Sequence, residues 1–442
     1  MSVLLGKEDP MVIFWFRRDL RLNDNAGLYH ALKENTAVQP LFIFDSDILD
    51  KIEDKADARV SFIYDTVSDI KASLQEKGSD LWVRHGKPQD IFKELFEKNK
   101  ITAIYTNGDY EPYARKRDKE IANISKSFGA EFKSYKDQTL FEKDEILTGQ
   151  GKPYTVYTPY KNNVLKSLTP FYLKSYPNDK YESAYLKSKM AEKLPSLKDL
   201  GFKRTAIQFP PLQISAKTLK NYAKNRDLPA MEGGTSHLGL HLRFGTVSVR
   251  ELAREGNKFS PVWLSELIWR DFFMQILWHF PEVEKRSFRP EYDKIAWRNS
   301  KADFKKWSEG QTGYPLVDAG MRELNATGFM HNRVRMVVAS FLCKHLLIHW
   351  SEGERYFAKK LLDYDLAANN GNWQWAAGSG CDAAPYFRIF NPETQAKKFD
   401  PDNEYIKKWV PEFETEQYPK PMIDHNEARG RCLQEFTKAL KK

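Results

Sequence analysis

Residues 11–17 (MVIFWFR) and 38–45 (VQPLFIFD) are short, almost wholly apolar runs, and the stretch between them, from Asn25 to about Glu34, carries apolar positions at helical spacing. Short apolar runs bounded by polar turns predict buried strands, so the first 45 residues read as a β-α-β unit. The alternation continues with helical spacing over Ser61 to Lys77, a strand at LWVR (Leu81 to Arg84), a helix over Pro88 to Lys98 and a strand at ITAIYTN (Ile101 to Asn107). This order predicts an α/β domain with a doubly wound parallel sheet over roughly residues 10–135. From 136 to 215 periodicity fades among scattered Pro, Lys and Tyr, and the stretch reads as a linker. Beyond it long amphipathic patterns dominate, notably Val262 to Phe280 and Gly328 to Ile348, which predict an all-α C-terminal domain. The expected organisation is therefore 1–135, 136–215 and 216–442.

With 442 residues, 41% hydrophobic and 29% charged, the chain can bury large cores, and disorder as the dominant state is excluded. No run approaches the ~18 apolar residues of a membrane helix, and the start, MSVLLGKEDP, lacks a basic region followed by an apolar core. A cytoplasmic protein with no membrane partner is expected. Cys343, Cys381 and Cys432 are odd in number and far apart, which suits a reducing compartment and offers no metal pair. The net charge of +9 is compatible with a polyanionic partner. Eleven tryptophans point to something planar being packed or held.

Nucleotide fingerprints are absent where they should be: the first strand is followed by RRDLRLND, and no Walker A occurs. The glycines of a G-x-G-x-x-A at Gly378, Gly380 and Ala383 follow helical sequence and read as a loop. A nucleotide cofactor would have to be held by the helical domain. Four segments there carry chemistry. In PVWLSELIWRDFFMQILWHFP, Trp263, Glu266, Trp269 and Arg270 share one helix face, which is either core with an ion pair or a pocket wall for a base. GGTSHLGLHLRFG offers glycines and then Thr235 and Ser236 at a helix start, suited to capping or to phosphate. Asp363 and Asp365 precede Asn369, but an EF-hand register fails, because Ala368 and Gln374 stand where Gly and Glu are needed. Asn332, Arg333 and Arg335 open an apolar helix, and His331 reads as a local hydrogen-bonding group.

Taken in order, FWFRRDLRLNDN, EGGTSHLG, ELIWRDFF, GQTGYPLVDAGMRELNATGFMHNRVRM and DLAANNGNWQWAAGSGCDAAPYFRIFNPETQAKKFD closely resemble the photolyase/cryptochrome family, nearest the bacterial class I cyclobutane pyrimidine dimer photolyases. The resemblance implies an N-terminal antenna domain and a helical domain holding FAD, active when reduced. It implies a flavin site of Tyr222, Thr235, Ser236, His237, Leu238, Gly239, Trp263, Glu266, Arg270, Arg335, Asp363, Tyr364, Asp365 and Asn369, the last facing the reactive ring nitrogen. Glu266, Trp269, Asn332, Arg333 and Gln395 would contact the flipped dimer and flanking UV-damaged DNA. Glu266 and Asn369 are the implied catalytic side chains, and Trp373, Trp350 and Trp297 match an electron-transfer chain whose alternative is core packing. Plant cryptochromes put an acid where Asn369 stands, and six-four enzymes a histidine where Asn332 stands, so dimer repair is expected over light sensing or six-four repair. Departures are Phe329, where the family usually has tryptophan, and NGDYEPYARKRD, which leaves the second chromophore open between methenyltetrahydrofolate, a deazaflavin, another flavin and none. The expected protein is a monomer without an obligate protein partner or a metal.

Overall fold

The structure, a computed structural model, describes residues 9–188 and 191–441. Most of the opening MSVLLGKEDP thus lies outside the described residues. The chain forms two units, each drawn from separate stretches of sequence. The first takes the chain up to Glu142 together with Leu168–Leu212 and Gly239–Arg254; the second takes Lys143–Ser167, Gln213–Leu238 and the chain from Glu255 onward.

The first unit is built on strands β1 (Met11–Phe16), β2 (Val38–Asp45), β3 (Trp82–Gly86), β4 (Ile101–Asn107) and β5 (Glu131–Tyr135), all parallel in the order β3-β2-β1-β4-β5. Every residue of β1 and β2 is buried, as expected of strands covered on both faces by crossover helices. The crossover helices are Ala26–Glu34, Ala58–Glu76, Pro88–Lys98 and Pro112–Ser127. Asn25 caps the first of them, accepting from the Leu28 N–H. The α/β domain expected from the hydrophobic pattern is present, and β5, with mixed exposure, is the strand that pattern did not single out.

RRDLRLND has a structural role. The Leu20 N–H donates to the Phe244 carbonyl at 3.0 Å, and Arg21 reaches the Gly245 carbonyl at 3.0 Å. Gly245 has φ +66°, and a Cβ there would stand 2.4 Å from the Arg18 carbonyl oxygen, so only glycine allows this approach.

The stretch 136–215 contains elements that its weak periodicity does not announce: a helix at Tyr157–Ser167 and a 3₁₀ segment at Asn178–Ala184. The helix has only three buried positions, Tyr157, Tyr160 and Val164, spaced i, i+3 and i+7 along one face.

The second unit is helical. Pro261–His279 is a single helix, with Ser260 accepting from the Trp263 N–H and proline in its first turn. Gly328 to Ile348 is not one helix. Gly328, left-handed at φ 69°, ends Pro315–Thr327; a new helix, Asn332–Ser340, then starts at His331 and passes into a π turn over Phe341–His345. The helices Trp350–Lys360, Leu366–Ala377, Pro392–Phe399 and His425–Leu440 follow. Gly378 caps Leu366–Ala377 in the left-handed region, so the G-x-G-x-x-A is a loop, as its sequence suggests. Among the described residues no helix is long and apolar enough to cross a membrane, and no three His, Cys, Asp or Glu side chains group as metal ligands.

Candidate active site

All of the implied site residues except Gly239 belong to the second unit; Gly239 opens the short helix Gly239–Phe244 and falls in the first. Many of them gather into four side-chain groups.

Glu266, on the exposed side of Pro261–His279, is ion-paired with Arg226, whose guanidinium lies 5.2 Å from the ring centroid of Tyr222. Tyr222 is buried, and that burial pushes its phenol up to about 12, so it is a neutral hydroxyl at working pH. Trp263 is buried one turn before Glu266 and packs where Gly256 leaves room, 3.0 Å from the position a Cβ would take.

One turn after Glu266, Trp269 is stacked on Tyr157 with centroids 3.4 Å apart and planes 8° from parallel. Phe273 stands 5.5 Å away. The Tyr157 hydroxyl donates to the Ser265 carbonyl at 2.7 Å, which fixes the tyrosine and through it the indole. Phe273 in turn packs on Gly371, where a Cβ would come within 2.1 Å of its ring, so this glycine lets Leu366–Ala377 close onto Pro261–His279.

Arg335 pairs with Asp363 at 2.9 Å, donates from Nε to the Met330 carbonyl at 2.7 Å, and lies over Phe329. The ring of His237, a residue in the left-handed region at φ 52°, is 4.3 Å from that of Phe329. Arg333 pairs with Asp227 at 2.8 Å and covers Phe399, which ends the helix carrying Gln395. The Gln395 Oε1 and His331 Nε2 atoms are buried without a hydrogen-bond partner among the described residues. His331 Nδ1 accepts from the Arg333 N–H at 3.2 Å, capping the helix; burial lowers its pKa to about 4, so it is neutral. Asn332, beside it, is exposed.

The fourth group surrounds Asn369. Its amide nitrogen donates to Glu354 Oε1 at 2.9 Å and to the Glu354 carbonyl at 3.2 Å, and Tyr364 reaches the same carboxyl oxygen at 3.4 Å. Burial holds the Glu354 carboxyl above its usual range. With Nδ2 turned to Glu354, the Asn369 side chain presents its oxygen, an acceptor, on the opposite side. Asp365 caps the same helix through Oδ1, accepting from the N–H groups of Ala367 and Ala368.

Thr235 and Ser236 lie half-exposed ahead of the buried Leu238, and among the described residues neither hydroxyl bonds to another protein group. Hydroxyls left available in this way fit a phosphate. Trp373 is 2% exposed and Trp350 1%, while Trp297 is half-buried, and all three pack in or against one apolar cluster. The His349 ring lies 5.3 Å from both Trp297 and Trp350. Gly353, one turn after Trp350, is the contact point for Trp373, 2.1 Å from where its Cβ would be. Among the described residues neither the Trp297 nor the Trp350 indole N–H has a protein partner.

Two family models match, the FAD binding domain of DNA photolyase over residues 263–416 and DNA photolyase over residues 12–179. The deoxyribodipyrimidine photo-lyase of a Synechococcus strain is 37% identical, covering 94% of each chain. That of Escherichia coli K12 is 36% identical over 97% of this chain and 99% of the relative. This chain belongs to the DNA photolyase family. Solved photolyases share the fold: a class III enzyme from Agrobacterium tumefaciens has a TM-score of 0.85 at 32% identity, covering all of both chains. An archaeal photolyase from Sulfolobus tokodaii, described with two FAD molecules, has a TM-score of 0.83 at 36% identity, covering 97% of this chain and all of that one.

Against the photolyase set implied by sequence, four residues are additions: Arg226, Asp227, Tyr157 and Glu354. Arg226 and Asp227 lie just past the helix that holds Tyr222, and nothing in the spacing of KNRDLP marks their partners 40 and 106 positions away. Glu354 is one of several charges in SEGERY, and only the fold sets it beside Asn369.

Proposed function

We propose that this chain repairs cyclobutane pyrimidine dimers in DNA in a light-dependent reaction. FAD, when bound, supplies the photoexcitable one-electron donor on which cleavage of the cyclobutane ring depends. The residues present suit it: Thr235 and Ser236 offer hydroxyls for the pyrophosphate, Asp363 and Asp365 carboxylates for ribose or adenine groups, and Tyr222 and Trp263 apolar ring surface.

The observation that carries the reading is the Asn369–Glu354 pair. An amide held in one orientation offers the flavin a neutral acceptor, whereas a carboxylate at the same position would put a negative charge beside a reduced, anionic ring. On the substrate side, Trp269 supplies a flat apolar surface and Glu266 an acceptor for a base edge, while Arg333, Asn332 and Gln395 serve the flanking strand. Tyr157 already occupies one face of the Trp269 indole, so a flipped base meets its remaining surface. Extruding a damaged pair costs less than extruding an intact one, which adds to selectivity. Trp297, Trp350 and Trp373 run from half-buried to buried and serve as a route for electrons inward to the cofactor. In this reading the protein works as a monomer in the cytoplasm.

The test is a repair assay with chemically reduced protein and an oligothymidine containing cyclobutane dimers, followed at the thymine absorption band in blue light and in darkness. Recovery of absorbance in light alone is expected, together with its loss in Trp269→Ala. Protein that holds reduced FAD yet restores no absorbance in light would refute the reading.

A further inference from the structure

The helix His425–Leu440 rests on the second unit by a narrow stripe: its buried residues are Ala428, Cys432 and Phe436, spaced i, i+4 and i+8. The Lys344 ammonium lies 3.9 Å from the Phe436 ring centroid, and that ring stands 5.9 Å from Trp297, so this end of the helix covers the half-buried indole. So little apolar surface leaves the seating of the helix dependent on its polar contacts.

Its first residue makes one of them. His345 Nε2 and His425 Nδ1 are 2.9 Å apart. His345 ends the π turn Phe341–His345 and is fully buried, its ring stacked on Phe341 at 4.7 Å with Tyr314 6.1 Å away. Its other ring nitrogen, Nδ1, is buried with no hydrogen-bond partner among the described residues. Two neutral imidazoles share such a contact when one donates and the other accepts. A buried N–H without an acceptor is costlier than a bare lone pair, so His345 carries its proton on Nε2, donates to His425 Nδ1, and leaves Nδ1 as the lone pair.

A further proton finds no place in this arrangement. On His425 Nδ1 it sets two N–H groups against each other, unless the His345 proton moves to Nδ1, where no acceptor waits. On His345 Nδ1 it puts a cation among apolar rings. The surrounding charges do not relieve this. Arg431 donates to the His345 carbonyl and adds a second positive group, while Lys344 turns its ammonium to the Ala377 carbonyl at 2.7 Å. Tyr314 donates to the Ile423 carbonyl at 2.7 Å, and burial pushes its phenol up to about 12, so it stays neutral. Of the acids on neighbouring elements, Asp424, Glu427 and Glu393 are exposed, and among the described residues no carboxylate pairs with either imidazole. Burial, with His425 and Arg431 adding to it, lowers the His345 pKa to about 3.

We propose that the His345–His425 pair is an acid-sensitive clasp: while both rings are neutral it seats the first turn of His425–Leu440, and one added proton releases that turn and loosens the helix over Cys432 and Trp297.

Cys432 reports the release, because it is fully buried on this helix. Its reaction with dithiodipyridine in the FAD-replete full chain is followed by mass spectrometry at about pH 7.5 and about pH 5.5, within the range where imidazole ordinarily changes charge. His425→Gln is the reference: its amide oxygen still accepts from His345 Nε2 but takes up no proton, and the reagent's own pH dependence cancels in the parent-to-variant ratio. That ratio is expected near unity at the higher pH and about tenfold at the lower, the factor that one hydrogen bond carries. His425→Ala, which has no acceptor, is expected to react about tenfold faster than His425→Gln at both. Bound flavin stays constant throughout. A ratio that does not change with pH, a His425→Ala rate equal to that of His425→Gln, or labelling of Cys432 that rises only as FAD is lost would each overturn the proposal.

Discussion

Replacing Glu354 tests the arrangement around Asn369 most directly. The Asn369 amide is oriented by two acceptors, the Glu354 carboxylate at 2.9 Å and the Glu354 carbonyl at 3.2 Å. Glu354→Leu removes the first and keeps the second. A hydrogen bond to a charged acceptor contributes about 1.5–3 kcal/mol, and because Glu354 is half-buried the lower end applies. About 1.5 kcal/mol is roughly tenfold in the preference for one amide orientation, so the Leu variant should lose about tenfold of that preference and keep only the bias that the carbonyl supplies. Glu354→Gln keeps a neutral acceptor and should fall between. The assay has three readouts: FAD per protein from absorbance, yield of fully reduced flavin under blue light with a thiol donor, and dimer repair after chemical reduction. Flavin content should hold, while the other two fall by several-fold to about tenfold in the Leu variant. A Leu variant with full flavin that reduces and repairs at the parent rate would refute the reasoning. Acid supplies a second arm. Burial raises the Glu354 pKa above the usual 4.5, so lowering pH toward that range protonates it and removes the charged acceptor. The parent should then drift toward the Gln variant, and the Gln variant should show no such step. The linkage has the matching sign. A carboxyl whose folded pKa is raised favours the fold while protonated and costs stability once ionised, so Glu354→Gln should be no less stable than the parent at pH 7.

His331 is held neutral by burial, with its pKa lowered to about 4 from 6.5. A lowered histidine pKa contributes stability that is complete above 6.5 and is lost as pH falls toward 4. By pH 5 the loss is about 2 kcal/mol, and His331→Asn, which retains a good cap, should flatten that part of a denaturation profile; an unchanged slope would refute it. Gly353→Ala would drive a methyl to within 2.1 Å of Trp373 and 2.6 Å of Leu342. Overpacking of this kind costs about 1–3 kcal/mol, visible as a lower midpoint in thermal unfolding, whereas an unshifted midpoint would show that the indole yields freely. Trp297→Phe should abolish photoreduction of oxidised flavin while sparing repair by chemically reduced protein, and retained photoreduction would return Trp297 to a packing role.

The sheet was legible because period and length agreed: MVIFWF and VQPLFIFD are too short and too apolar to be anything but inner strands. The helix at Tyr157–Ser167 was not, since three buried positions in a run rich in Thr, Pro, Lys and Asn give a weak periodic signal. It proves consequential, as Tyr157 is what holds Trp269 flat. Gly328 to Ile348 looked like one helix because apolar spacing continues across a break made by backbone conformation at Gly328 and a cap at His331. The candidate site was legible to the extent that its residues sit in contiguous motifs. Partners supplied by the fold alone, Glu354 for Asn369 and Arg226 for Glu266, left no mark in spacing.

Those partners alter how ligand binding must work. Arg333 and Arg335 are residues the resemblance implied for DNA and flavin, and Arg226 lies beside Glu266, yet each of the three is engaged with Glu266, Asp227 or Asp363. None of the three waits as a bare positive charge, so DNA or a cofactor phosphate can gain them only by exchange with a carboxylate. All six side chains retain access to solvent, and partly exposed pairs contribute only about 0–1 kcal/mol each, so the exchange is inexpensive. In the free protein the carboxylates hold the guanidinium groups in place, saving part of the side-chain entropy that binding would otherwise consume. They also disfavour binding of stray anions, because a weak ligand must first displace an acid. In the proposed reading, long-range attraction for DNA then falls to the other cations of a chain with a net charge of +9, and selectivity to the flat surface of Trp269, which carries no charge to exchange.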